Sequence, residues 1–408
     1  MNEYHGNNFL KIYNKSCVSM SEIDDETVQC VITSPPYWGL RKYDGPQELV
    51  WSGDPECDHE WITEEYIHEI RTGKGLAKWS SDNARGGGKK IASITSESFT
   101  IGRCKKCDAW RGAFGLEPTP EMYVEHTISI LREIHRVLKK DGVVFWNIGD
   151  TYAGSWGSMS HSIDGKAKKQ GTNVRPPQSF IKGKRISRGS GRWGGGNMPA
   201  SGYMKPKDLC LIPARVAIAA QKDGWWVRSD IIWNKTNPMP ESVKDRPSRA
   251  HEHILVLTKS AKYYWNIDAI RVKYDAPLNR WGGDTVRKSS HKYIENGGHD
   301  GKQRYGATSM YRMGRPVRPD NNGRNIRDIW MFPTCPYPGT HFATFPEELP
   351  KICVKAASRE GDIILDPFAG TGTALWVAEK LGRKAIGYEL SEKYCQMILE
   401  RCRQQVLV

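Results

Sequence analysis

A chain of 408 residues with 38% hydrophobic and 10% aromatic side chains can bury a sizeable core in two or three domains, which excludes a fibrous or wholly disordered protein. Lys and Arg total 60 against 46 Asp and Glu, a net charge of +14 that attracts polyanions, with nucleic acid first and an anionic membrane surface second. No apolar run approaches the roughly 20 residues of a membrane span, and the polar start MNEYHGNNFL lacks the apolar stretch of a signal peptide, so a soluble cytoplasmic chain is expected whose ten cysteines are reduced thiols or metal ligands.

The first predicted element is the buried strand VQCVITS, which ends at Ser34. Pro35 and Pro36 then hold an extended backbone in front of Tyr37 and Trp38. Such a bend is either an ordinary strand-ending turn or a mount for rings that meet a planar ligand. Residues 51–110 are too polar and Gly-rich to build a core, yet they carry CDHEW and CKKCDAW. Cys57, His59, Cys104 and Cys107 supply three thiolates and an imidazole, the closed tetrahedral shell of a structural Zn²⁺. The competing reading is four unligated side chains, because Cys-x-His is less usual than a second C-x-x-C. His5, His68 and His126 lack partner spacing and are read as surface or core residues.

A helix follows, capped by Thr119 with Pro120 in its first turn, an Ile130, Ile134, Val137, Leu138 face and a stop at Gly142. The strand VVFWNI comes next, and Asp150 ends it at the ligand-binding edge, where it either contacts a ligand or caps the next loop. Residues 154–204, rich in Gly, Ser, Lys and Arg, are expected to be flexible or ordered only on binding. The helix DLCLIPARVAIAAQKDG and the strands SDIIWNK and HEHILVLTK return to core-like patterning over residues 205–273. Helices alternating with apolar strands predict a mostly parallel sheet covered on both faces. Residues 274–329 interleave basic and aromatic side chains, which suits phosphates and bases but equally a solvated excursion.

The C-terminal GDIILDPFAGTGTALWVAEKLGRKAIGYEL reads as a β-α-β unit with Gly370 and Gly372 in the turn. Glu389 ends its second strand 23 positions after Asp366, close to the roughly 20 expected of an acid that grips ribose hydroxyls. A nucleoside cofactor fits. That spacing also suits a nicotinamide dinucleotide, but the turn departs from G-x-G-x-x-G and lacks the Gly-Lys-Ser/Thr of a phosphate loop.

TSPPYW and DPFAGTGT together resemble the β-ordered amino methyltransferases of DNA that use S-adenosylmethionine, and SDIIWNKTNPMPESVKDRP, HEHILVLTKS and HFATFPEELPKICVKAAS are similar to further family segments. The resemblance implies a Rossmann-like α/β core, permuted so that the base-handling half (1–50, 111–153, 205–273) precedes the cofactor half (330–408). It implies a target-recognition region at 274–329, beside the zinc-stapled insertion at 51–110. Ser34, Pro35, Pro36 and Tyr37 would form the catalytic loop, and Asp366, Phe368, Gly370, Gly372 and Glu389 would bind S-adenosylmethionine, helped by residues 344–350. Duplex DNA is the implied partner, with a companion restriction endonuclease possible in principle. Cytosine N4 is favoured because Ser34 stands where adenine N6 enzymes more often carry Asp or Asn, although SPPY also occurs with adenine specificity. Methylation of RNA or of a protein amide, and a non-catalytic DNA-binding module, are the rival readings.

Overall fold

The computed structural model describes residues 3–39, 47–71, 94–153, 159–161, 204–205, 207–273, 323–335 and 345–403. The basic and aromatic stretch at 274–322 and most of 154–204 lie outside the described residues.

Two sheets organise the chain. The larger has nine strands: β1 (Glu3–Gly6), β2 (Leu10–Tyr13), β3 (Val28–Thr33), β8 (Leu138–Ile148), β10 (Trp226–Lys235), β11 (His251–Thr258), β12 (Ile329–Phe332), β13 (Ile363–Asp366) and β14 (Lys384–Tyr388). Their order is β1-β2-β14-β13-β3-β8-β11-β10-β12. Within it β1 and β11 run against the other strands. The sheet is therefore mostly parallel.

Strand periodicity divides the core between its two faces. Val31, Val144, Leu255 and Leu365 point to the side of α1 (Pro120–Val137) and α2 (Ile212–Lys222). Cys30, Ile32, Phe145, Ile254 and Ile364 point to the other, against α3 (Glu348–Ala357), α4 (Thr373–Lys380) and α5 (Glu392–Arg403). β3 is buried along its whole length, as a strand covered on both faces must be. Thr119 caps α1, accepting from the Met122 amide at 3.1 Å. The expected stop at Gly142 is moved forward, because Leu138 is already extended and opens β8. Pairing in the central sheet thus overrides the helical pattern of the last turn.

The second sheet, β4 (Glu48–Trp51), β5 (Trp61–Arg71), β6 (Ile94–Cys104), β7 (Trp110–Ala113) and β9 (Met159–His161), is antiparallel in the order β4-β7-β6-β5-β9. It extends a few residues beyond 51–110 at both ends, and it recruits residues 159–161 from the stretch expected to be flexible.

Topology fixes where a ligand can sit. The chain leaves β3 for β8 on one side and leaves β13 for β14 on the other, although β3 and β13 are parallel neighbours. This reversal opens a crevice at the carboxyl ends of both strands, the place where open α/β sheets bind ligands. Both sequence motifs begin there.

Candidate active site

Thr33, the last residue of β3, donates its hydroxyl to Asp366 Oδ1 at 2.6 Å, and both residues are buried. The two motifs are thereby tied at their first residues. Asp366 Oδ1 also accepts from the Phe368 amide at 3.1 Å, which turns the chain over the strand end. The cleft above has a volume of about 760 Å³ and is lined from one side by Ser34, Pro36 and Tyr37, and from the other by Asp366, Phe368, Gly370 and Glu389. Pro35 is buried beside it, and Gly372 shapes the turn from behind. Gly370 and Gly372 have φ of +52° and +74°, and a Cβ on Gly372 would come within 2.9 Å of Ile398.

The acidic side of the cleft is built to accept hydrogen bonds. Glu389 receives the Gly370 amide at 2.9 Å on one oxygen and the Ser391 amide at 2.8 Å on the other. Burial nevertheless raises its carboxyl to about 7, with a smaller push from Asp366. Burial also lifts Asp366 to about 7, against the pull of Thr33 and the Phe368 amide. Two acidic groups kept in a dry cleft at that cost suit a ligand that brings hydroxyl or amino donors. Phe368 adds an apolar wall, stacked on Phe114 at 5.7 Å and edge-on to Trp146.

The opposite side carries the aromatic loop. Tyr37 OH donates to Glu252 Oε2 at 2.6 Å and accepts from Ser34 Oγ at 3.1 Å and Asn147 Nδ2 at 2.9 Å. The ring is fitted to the chain at Gly149, where a Cβ would lie 2.8 Å from it. Asn147, Lys235 and Glu252 line the same cleft. Sequence reasoning missed them and Thr33. The available signal was a polar residue near the end of an otherwise apolar strand, as in FWNIGD and HEHILV.

Two readings left open by the sequence resolve, Trp38 to packing and Asp150 to capping. Trp38 does not face the cleft as a second ring: it is 2% exposed and donates Nε1 to the Glu117 carbonyl at 2.9 Å. Asp150 serves the backbone, its Oδ1 accepting from the Thr151 and Ile212 amides at 2.8 and 3.1 Å, and so caps the start of α2.

Behind the loop lies a buried hydrogen-bonded pair, His126 Nδ1 with Glu117 Oε1 at 3.0 Å. Glu117 Oε2 accepts from the Gly115 amide, the Gly115 carbonyl accepts from the Gly39 amide, and Tyr123 OH donates to the Pro36 carbonyl at 3.0 Å. Trp51 of β4 and Trp110 of β7 stack on His126 at 4.5 and 5.4 Å. The second sheet and the aromatic loop therefore share one buried joint. At that sheet's far end Cys57, His59, Cys104 and Cys107 converge, with ligand atoms all within 4.8 Å of one another. Cys57 and Cys104 sulfurs are 3.8 Å apart, and Cys107 Sγ is 3.4 Å from His59 Nδ1. A tetrahedron with Zn–S near 2.3 Å and Zn–N near 2.0 Å has edges of about 3.8 and 3.5 Å. The donor set fits that metal.

Comparison with known proteins agrees with the motifs. The family profile described as DNA methylase matches residues 28–400. The Type II methyltransferase M.SmaI of Serratia marcescens is 31% identical over 379 residues, covering 93% of this chain and 85% of the relative. M.Cfr9I of Citrobacter freundii is 31% identical over 375 residues, covering 92% and 81%. Among solved structures, the cytosine-N4-specific PvuII DNA methyltransferase aligns over 96% of this chain and 86% of its own, with a TM-score of 0.48 and 14% identity. On the profile and the extended identity to the two Type II methyltransferases, this chain belongs to the N6/N4 DNA methylase family.

Proposed function

We propose that the protein transfers a methyl group from S-adenosylmethionine to the exocyclic amino group of a base turned out of duplex DNA, with cytosine N4 the favoured target and adenine N6 the second reading. The observation that carries this reading is the meeting of the Ser34–Tyr37 loop and the Asp366–Glu389 acids across one cleft. Relatives named as Type II methyltransferases support a chain that works beside a restriction endonuclease.

S-adenosylmethionine would supply an electrophilic methyl on a sulfonium. Its fit rests on the two buried acids, which suit hydroxyl and amino donors, the glycine turn, which permits close approach, and the Phe368 wall, which suits an apolar ring. The chain's own work is placement. An exocyclic amine is a weak nucleophile because its lone pair is delocalised into the base. Ser34 Oγ and the Pro35 carbonyl accept its hydrogens and turn the lone pair toward the methyl. Tyr37 offers the ring face that replaces lost stacking. Residues 274–329, largely outside the described residues, are assigned to target recognition on their charge and aromatic content. Cys57, His59, Cys104 and Cys107 are assigned a structural zinc, since four protein ligands leave no position for a reacting water.

Three measurements test these assignments. DNA from cells expressing the protein, digested to nucleosides and analysed by mass spectrometry, is expected to contain N4-methylcytosine. N6-methyladenine would move the target to the second reading, and neither base would refute the activity. Purified protein is expected to hold about one zinc per chain and to lose it in Cys104→Ser. A metal-replete wild type without zinc refutes that site. Cofactor hydroxyls donate best to ionised acids, and the unliganded carboxyls titrate near 7. Binding must then release protons below pH 7. Affinity for S-adenosylhomocysteine is expected to hold above pH 8 and to fall by up to about tenfold per acid for each unit below 7. Glu389→Gln flattens the slope. A pH-independent affinity in the wild type contradicts this role.

A further inference from the structure

We infer that Glu252, held by Lys235, sets the direction of the hydrogen bonds in the catalytic loop so that Ser34 meets the substrate only as an acceptor, and that this polarity distinguishes amino bases from keto bases. The inference rests on the reading of Ser34 given above and extends it to Glu252 and Lys235, which reach Ser34 through Tyr37.

The geometry is a chain of hydroxyls ending on an acid. A carboxylate can only accept, so Tyr37 must point its hydrogen at Glu252 Oε2, 2.6 Å away. The phenol oxygen is then left with two lone pairs. Asn147 Nδ2 fills one at 2.9 Å, and Ser34 Oγ fills the other at 3.1 Å by donating its own hydrogen. Asn147 also donates to Glu252 Oε2 at 3.0 Å, which fixes which way its amide faces. Ser34 has therefore spent its hydrogen inside the protein. What it turns to the cleft are lone pairs, which welcome the N–H of cytosine N4 or adenine N6 and repel the oxygen that uracil or hypoxanthine presents at the same place.

Lys235 keeps the acid oriented. Its ammonium is paired with Glu252 Oε1, and both side chains are mostly buried. β10 and β11 hold the two residues on adjacent antiparallel strands, with Trp233 opposite Glu252 and Lys235 continuing β10 beyond it. The Lys235 ammonium also lies 4.9 Å from the Trp233 ring centre. The pairing fixes how Glu252→Gln must sit. A glutamine cannot turn its NH₂ toward an ammonium, so its oxygen faces Lys235 and its NH₂ faces Tyr37 and Asn147. Tyr37 must then accept from residue 252 instead of donating to it, and Asn147 loses its acceptor there. The carboxylate that held the Tyr37 hydrogen, and through it the Ser34 hydrogen, in one direction is gone.

The test uses full-length protein and duplexes in which the target base faces an abasic site, so that amino and keto bases leave the stack at similar cost. Affinity is measured with cytosine and with uracil at the target, beside S-adenosylhomocysteine affinity and single-turnover methyl transfer to cytosine. If product analysis gives N6-methyladenine, adenine and hypoxanthine replace them. The wild type is expected to bind the amino base about tenfold tighter than the keto base. In Glu252→Gln that preference falls below about twofold and methyl transfer drops about 100-fold, while cofactor affinity changes by less than about twofold. Tyr37→Phe keeps the ring and cuts the same chain, so it is expected to lose the preference as well, and it serves if Glu252→Gln fails to bind cofactor. A cofactor-competent Glu252→Gln or Tyr37→Phe that still prefers the amino base overturns the inference. A wild type that methylates no DNA base refutes the underlying activity instead, a result separable from either variant's.

Discussion

The Thr33–Asp366 hydrogen bond is the contact on which the rest of the site depends. It closes the gap between two parallel strands whose onward connections leave in opposite directions. Without a tie at that point, the aromatic loop after β3 and the glycine turn after β13 would share no direct bond at their origin. With it, the aromatic loop and the acidic turn start from the same pair of buried atoms. A bond between a hydroxyl and a carboxylate in a dry crevice is charge-assisted whenever Asp366 is ionised, and contributes about 1.5–3 kcal/mol.

Around this tie the protein builds rigidity in two directions. On one side Glu252, Asn147 and Lys235 fix the tip of Tyr37 and the direction of its hydrogen. On the other, Glu117 and His126 bind the base of the loop from below and carry Trp51 and Trp110 of the second sheet on the imidazole. Burial raises the Glu117 carboxyl and the nearby His126 draws it back. The Cys/His cluster sits on the same sheet, beyond those tryptophans. Its place in the fold connects the cluster to the loop through the second sheet, and its four side chains are not among those lining the cleft.

Much of this was legible in sequence because the informative signals are local. SPPYW follows a strand of uninterrupted burial, DPFAGTGT opens a β-α-β unit, and the C-x-x-C and Cys-x-His pairs converge as their spacing suggests. The helix cap at Thr119 is likewise a one-residue signal that the structure keeps. What could not be read depends on register between distant strands. Glu252 looks like a charge in an apolar strand until β11 pairs with β8 and brings it under Tyr37, 215 positions away in sequence. Trp38 and Asp150 could not be decided for the same reason: each stands beside the site in sequence, and only tertiary packing turns Trp38 into the interior and gives Asp150 two backbone amides to cap. His126 had no partner spacing because its partner, Glu117, lies across a helix start and a buried turn.

The central claim is that the two motifs act as one unit through Thr33 and Asp366. A double-mutant cycle with Thr33→Val, Asp366→Asn and the combined variant, read as the single-turnover rate of methyl transfer to DNA, tests it most directly. The account predicts that each single variant slows the reaction and that the combined variant is no slower than the worse of the two, because either change alone has already broken the tie. Losses that multiply would contradict it, since they would mean that the loop and the cofactor turn work independently of the bond between them.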